Sequence, residues 1–243
     1  IKFTLLNDLD QSFNIYKDCI RFSKNKSIKF QALLRLIDIM IAKDNLIEAK
    51  EMLVENLAIY KSSQQSNILA IKNIQIDFFN VESSVIDSIS QLAGRMSRND
   101  LLYNDLLDIQ SILLPFKDNP KLLEKFSKAE LLVFQNKDLE AINKLVELYN
   151  EVQNNLILKD FIIYQLSYLL LLNQNTDDAI GYLDRISHDT IFSEFSYILK
   201  AEIFDLIIND KKSAVDLYLD FINRYPLSIF YDDIRIRLRE LAN

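Results

Sequence analysis

Apolar residues recur every three to four positions along almost the whole chain, the period of helices that bury one face. Ile47, Met52, Leu53 and Leu57 show the spacing. Read this way, the pattern predicts helices over roughly 8–23, 27–43, 46–61, 65–79, 83–97, 100–115, 120–135, 138–153, 157–173, 177–187, 190–208, 211–224 and 228–242. The connections are short, so consecutive helices must run antiparallel. The expected fold class is all-α.

A repeat emerges when the segments are aligned on one alanine. Asn136-Lys137-Asp138-Leu139-Glu140-Ala141 is one copy and Gln174-Asn175-Thr176-Asp177-Asp178-Ala179 a second. Asp44-Asn45-Leu46-Ile47-Glu48-Ala49 and Asp210-Lys211-Lys212-Ser213-Ala214 are two more, and Asn7-Asp8-Leu9-Asp10-Gln11-Ser12 is a weaker one. Each is a polar turn that opens a helix and sets a small residue in its first turn, where two helices can approach closely. Acidic residues there also suit the helix dipole. Ala141 and Ala179 are 38 residues apart, Ala179 and Ala214 are 35, and Ser12 and Ala49 are 37. These spacings bracket the repeat length of helix–turn–helix solenoids, about 34 residues.

The pattern resembles the tetratricopeptide repeat family, best from Pro120 to the C-terminus. That family carries a small residue twelve positions before the alanine, matched by Ala129 and Ser167. It carries a large residue four positions after it, matched by Leu145, Leu183 and Tyr218, and a closing proline, matched by Pro226. In the last copy Ala201 lies thirteen positions before Ala214, which reads as one residue inserted in the Ile208-Asn209-Asp210 turn. The family's Trp is absent, and Asn, Asp or Gln stand for its turn Gly. The resemblance implies a right-handed α-solenoid of antiparallel helix pairs spanning 1–243, ended by a capping helix. Across 62–115 the register is irregular: six predicted helices run from Ala49 to Ala141, one more than the alternation accommodates.

The C-terminal stretch sharpens this picture. Pro226 stops one helix and Ser228 is a candidate N-cap for the next. Phe230, Ile234, Leu238 and Leu241 then form an apolar stripe, with Asp233 and Arg237 at i, i+4. A polar outer face of this kind suits the solvating cap that solenoids need. The Tyr-Pro-x-Ser junction and Arg-rich helix are similar to the C-termini of bacterial tetratricopeptide proteins, many of them in the cell envelope. That resemblance favours a periplasmic or envelope location, with the cytoplasm as the alternative.

Composition narrows the options further. Two Gly and three Pro are too few for a sheet protein with tight turns or for Gly-rich phosphate loops. A formal charge of −7 repels phosphate, so nucleic acid is not an expected partner. One cysteine, Cys19, allows no internal disulfide. The most apolar run, Phe161 to Leu172, is about half the length of a bilayer span, so no transmembrane segment is expected. The chain opens at Ile1 with no Met or leader, which reads as the C-terminal part of a longer protein whose upstream segment could carry a signal peptide.

Candidate chemistry is sparse. His188, in Ser187-His188-Asp189, has no cluster of ligands or nucleophile beside it in the sequence, and reads as a solvated turn residue. Cys19 reads as a small buried residue, although Lys17 and Arg21 are near. Asp177-Asp178 and Asp232-Asp233 sit in first turns, where carboxylates are favoured anyway. Arg235, Arg237 and Arg239 read as a solvated face, with an anionic partner as the alternative. Gly94 and Gly181 fall inside predicted helices, where close helix packing would account for them. No catalytic, cofactor-binding or metal-binding residue is assigned, and no enzyme activity or cofactor is expected.

The resemblance places first helices along a concave groove. Counted from the repeat alanines, Phe126, Glu130, Val133 and Phe134 face it in one repeat, and Phe161, Tyr164, Tyr168, Leu171 and Leu172 in the next. These residues either anchor a partner peptide or helix, or form core, since helices apolar all round are usually buried. The expected function is a non-catalytic scaffold or adaptor that binds another protein or peptide, or a second copy of itself. The alternative is a ligand- or peptide-sensing regulator whose effector module lies upstream of Ile1.

Overall fold

The computed structural model describes residues 9–152, 155–187, 190 and 192–241, and those residues are all-α, with no strand among them. The helices are α1 (Leu9–Phe22), α2 (Lys26–Ala42), α3 (Leu46–Leu57), α4 (Ser63–Phe79), α5 (Val85–Arg95), α6 (Tyr103–Leu113) and α7 (Pro120–Phe134). They continue with α8 (Asp138–Glu151), α9 (Leu156–Leu172), α10 (Thr176–Leu183), α11 (Phe192–Glu202), α12 (Lys211–Arg224) and α13 (Tyr231–Leu241). A 3-10 turn at Leu114–Phe116 follows α6, and a π-helical stretch at Ile203–Ile208 extends α11. The chain forms two compact units that divide between Ala141 and Ile142, inside α8.

Side-chain caps explain where many helices start. The carboxamides of Asn25, Asn119, Asn155 and Asn175, the Ser62 hydroxyl and the Asp210 carboxylate each accept a backbone N–H from the first turn that follows. Pro120 fills the first position of α7, where no N–H is needed. Ser228 does not cap the last helix in this way. Its hydroxyl accepts from Phe230 N–H at 3.2 Å in a turn, and α13 starts at Tyr231.

One turn recurs between paired helices. A residue in the left-handed region closes α2, α4, α7, α9 and the π-helical end of α11: Asp44 (φ 64°), Val81 (57°), Asn136 (57°), Gln174 (61°) and Asn209 (60°). After α2, α4, α7 and α9 its N–H donates to the carbonyl three residues back, and the next N–H donates five residues back: Asp44 to Ile41 and Asn45 to Met40, Val81 to Phe78 and Glu82 to Asp77, and likewise for the other two. This paired arrangement satisfies the last carbonyls of the helix. The repeat alanines follow these turns, and Ala49, Ala141, Ala179 and Ala214 are all fully buried. Ala129, Ser167 and Ala201 on the preceding helices are fully buried too.

Two departures from this rule are informative. The second turn residue, Val81, is β-branched, and at positive φ such a residue is strained. Polar residues Asn80, Glu82, Ser83 and Ser84 flank it, but Ile86 stands five residues on, where Ala49, Ala141, Ala179 and Ala214 stand in their copies. In the last copy the extra residue is not in the Ile208-Asn209-Asp210 turn. Asn209 is five residues ahead of Ala214, as Gln174 is ahead of Ala179. The helix absorbs the residue upstream, widening to π over Ile203–Ile208, so that Asp210 N–H reaches back to the Phe204 carbonyl at 2.8 Å.

In the first unit, α2, α3 and α4 pack in succession, and α4 packs on both α5 and α7. α6 lies against α5, and the 3-10 turn leads the chain back to α7. The core centres on Phe30, Leu33, Ile37, Ile41, Leu53, Leu69 and Ile76. Two buried carboxylates cross it in ion pairs: Asp38 of α2 with Lys72 of α4 at 2.6 Å, and Asp77 of α4 with Lys50 of α3 at 2.7 Å. The Asp77 bond raises the Lys50 pKa and holds its charge. In the second unit, α9 packs on α10 and α11, and α11 to α13 follow around Ala201, Ala214, Tyr218, Phe221 and Ile234. The buried Asp160 carboxylate accepts the Ser187 N–H at 3.1 Å and the Thr190 hydroxyl at 2.7 Å.

Two sequence expectations are corrected here. A Cβ on Gly94 or Gly181 would meet nothing within 4 Å, so close helix packing does not account for either glycine. Arg237 does not belong to a solvated face. It clamps the buried Asp205 with two hydrogen bonds, Nε to Oδ2 at 2.7 Å and Nη2 to Oδ1 at 2.8 Å, and also bonds Glu240 rather than Asp233. Arg237 holds the Asp205 pKa below the usual carboxylate range, and the Tyr218 hydroxyl donates to the same carboxylate at 3.2 Å. The carboxylate ties the π-helical stretch to α13.

Candidate functional site

The nine residues expected along a groove divide between the two units. In the first, Phe126 is buried, its ring stacked on Phe116 with centroids 4.9 Å apart and tilted against Phe78 at 5.9 Å. Phe134 is half-buried against Phe79 at 5.8 Å, and Val133 is half-buried. One helical turn from each phenylalanine on α7 sits Glu130. Part of the residue reaches solvent, but its carboxyl is enclosed, and burial raises its pKa to about 7. This seam joins α4, the 3-10 turn and α7 into a core.

The second unit presents a different surface. Phe161 is buried against Phe192, with centroids 5.4 Å apart. Tyr164 is half-buried and lies between Phe192 at 6.4 Å and Phe195 at 6.1 Å. Phe195 in turn meets Phe230 edge-on at 5.7 Å. Rings from α9, α11 and the turn before α13 thus form one row. Along α9 the row leads to Tyr168, 50% exposed, and Leu172, 47% exposed, while Leu171 packs inward near Ile163 and Leu183. Phe195 itself is 39% exposed.

Two titratable groups of this face are shifted toward their neutral forms. Burial raises the Tyr164 pKa, and the charges of Glu202 and Tyr168 add to the shift, so Tyr164 stays a neutral phenol. Glu202 is exposed as a residue, yet its carboxyl lies against protein, and this burial and Asp205 raise its pKa. The arrangement offers flat aromatic and aliphatic area with a phenol and a carboxyl at its edge. Exposed rings of this type bury large area at little entropic cost when a partner covers them.

Phe195 and Glu202 were not singled out by sequence, and Phe230 was read only as part of the apolar stripe of the last helix. Counting back from Ala214 by the interval that separates Phe161 from Ala179 lands on Ser196; allowing for the extra π-helical residue lands on Phe195. The irregular spacing of Ala201 was the available signal.

The remaining candidates carry structure or fall outside. His188 lies outside the described residues, as do Asn7 and Asp8 of the weakest repeat copy. Cys19 is a free, half-buried thiol. Asp178 bonds the Asn175 cap at 2.7 Å, and Asp232 pairs with Arg235 at 3.5 Å. Among the described residues, no group of three or more His, Cys, Asp or Glu is placed to share a metal ion, and no helix is long and apolar enough to cross a membrane. No protein-family model, curated protein or solved structure matches the chain.

Proposed function

We propose that this chain is a tetratricopeptide-type scaffold, a right-handed α-solenoid of helix pairs that binds another protein through the first-helix face of its second unit. The observation that carries the reading is the row Tyr164, Tyr168, Leu172 and Phe195, aromatic and aliphatic groups left partly open to solvent beside a buried core. Contiguous apolar surface of this kind on a folded protein marks interaction sites. The recurring left-handed turn, the fully buried alanines that follow it and the packing of α9 on α11 support the repeat reading.

Binding here needs no turnover and no cofactor. Tyr168 and Phe195 act as anchors, and the Tyr164 hydroxyl and Glu202 fix orientation by hydrogen bonds. Tyr168→Asp places a charge in the middle of the face while leaving the core untouched. It is expected to weaken partner binding at least about tenfold, measured by calorimetry with the copurified partner, with an unchanged circular dichroism melt. Retained affinity in a folded variant removes this face from the interaction.

A further inference from the structure

The first unit carries an open groove of about 820 Å³ on the side of α4, between α3 and α5. Its floor is a small and polar stripe of α4 that includes Ser66, Asn67, Ala70 and Asn73. The walls are Val54 and Leu57 of α3 and Ser88 and Gln91 of α5. This is the helix pair with Val81 at its turn and Ile86 in place of the buried alanine. Larger side chains at a helix crossing set the axes further apart.

Charge in the groove is uneven. At the Asp77 end Lys50 is already engaged, by Asp77 at 2.7 Å and Glu82 at 3.6 Å. At the Ser63 end stand Lys61 and Arg95, both exposed, and no carboxylate among the described residues pairs with either. Among the described residues, Asp77 is the only carboxylate that lines the groove, and Asp100 is held by the Asn67 amide at 2.7 Å. Two uncompensated cations thus face one polar cleft in a chain whose formal charge is −7.

We infer that this groove binds an extended, acidic segment of another protein, with its carboxylates held between Lys61 and Arg95. From Ser63 to Asp77 the floor helix is about 21 Å long, which matches about six residues of extended chain. The Asn67 amide donates to Asp100 Oδ2, while the Gln91 amide and the hydroxyls of Ser66 and Ser88 are suited to the backbone N–H and C=O groups of such a segment. Arg95 supplies a fork for a carboxylate and Lys61 a mobile point charge. The overall negative charge of the chain disfavours a nucleic-acid occupant, whose phosphates it would repel along their whole length. The groove is separate from the aromatic face of the second unit, and either can fail without the other.

The test is fluorescence anisotropy with the full chain and a labelled peptide of about eight residues, with two adjacent glutamates near one end and serine and alanine elsewhere. Binding that weakens at least about tenfold for the glutamine version of the peptide, and equally for the Lys61→Glu/Arg95→Glu protein, supports the inference. Both substituted residues are exposed, so the melting temperature is expected to stay unchanged; if it falls, Lys61→Gln/Arg95→Gln serves in its place. Three results overturn the inference: no binding of the acidic peptide at millimolar protein, equal binding of the glutamine peptide, or tighter binding of a labelled oligouridine.

Discussion

The pairs α9–α10 and α4–α5 share a turn and differ in nearly everything that announces it. Both close the first helix with a residue at φ near 60° and the same two backbone hydrogen bonds. At Gln174 the residue is polar, and the buried Ala179 follows. At Val81 it is β-branched, and Ile86 follows. The first pair closes tightly around its alanine, whereas the second flanks an open groove. The backbone geometry of the repeat is thus more uniform than its residues, because hydrogen bonds to the last helical carbonyls specify the turn while side chains set only its cost.

That difference can be broken from either side. The largest expected effect is at the tight pair. Ala179→Ile imports the residue type of the α4–α5 pair into a fully buried crossing, and overpacking should destabilise the protein by about 2–3 kcal/mol in urea unfolding. A loss below about 0.5 kcal/mol would mean that the alanine does not set the helix approach.

Next in size is Glu130, on the helix α7 that packs against α4. Its folded pKa of about 7 lies above its ordinary 4.5, so the native state holds this proton more tightly than the unfolded chain does. Its contribution therefore favours folding least at high pH, and stability falls as pH rises from about 4.5 through about 7. Glu130→Gln should gain about 2–3 kcal/mol at pH 8 and almost nothing at pH 4.5. Equal stability changes at both pH values would show that the carboxyl is not enclosed.

The smallest effect is at the turn itself. Val81→Asn keeps the left-handed conformation but removes the β-branched clash, and should stabilise by about 1 kcal/mol in thermal unfolding. The reverse change, Gln174→Val, should cost a similar amount.

Much of this fold was legible from spacing. The four alanines fixed the helix pairs they belong to, and each is fully buried. The two helices of the α4–α5 pair were legible at 65–79 and 83–97, but the repeat register was not, because Ile86 replaces the alanine on which the copies align. The π-helical stretch was visible only as one surplus residue before Ala214, and neither periodicity nor propensity says whether a helix or a turn will take it up. Arg237 read as solvated because it forms a basic cluster with Arg235 and Arg239 on the last helix; its partner Asp205 lies in another helix, at a distance in sequence that no local pattern reveals. The face of the second unit was half legible. Tyr164 and Tyr168 followed from the repeat register, Phe195 required the surplus residue to be placed first, and Phe230 was legible only as part of the last helix's apolar stripe.

The central claim is that Tyr168 lies in a protein-binding face. A photoreactive amino acid introduced at position 168 of the full-length protein, and in parallel at the exposed position 216 on α12, tests it in the native cell. The account predicts one discrete crosslinked partner from position 168 that position 216 does not give, and its loss when Phe195→Asp is added. The same crosslinks from both positions, or a product from 168 that survives Phe195→Asp in a folded protein, would contradict it.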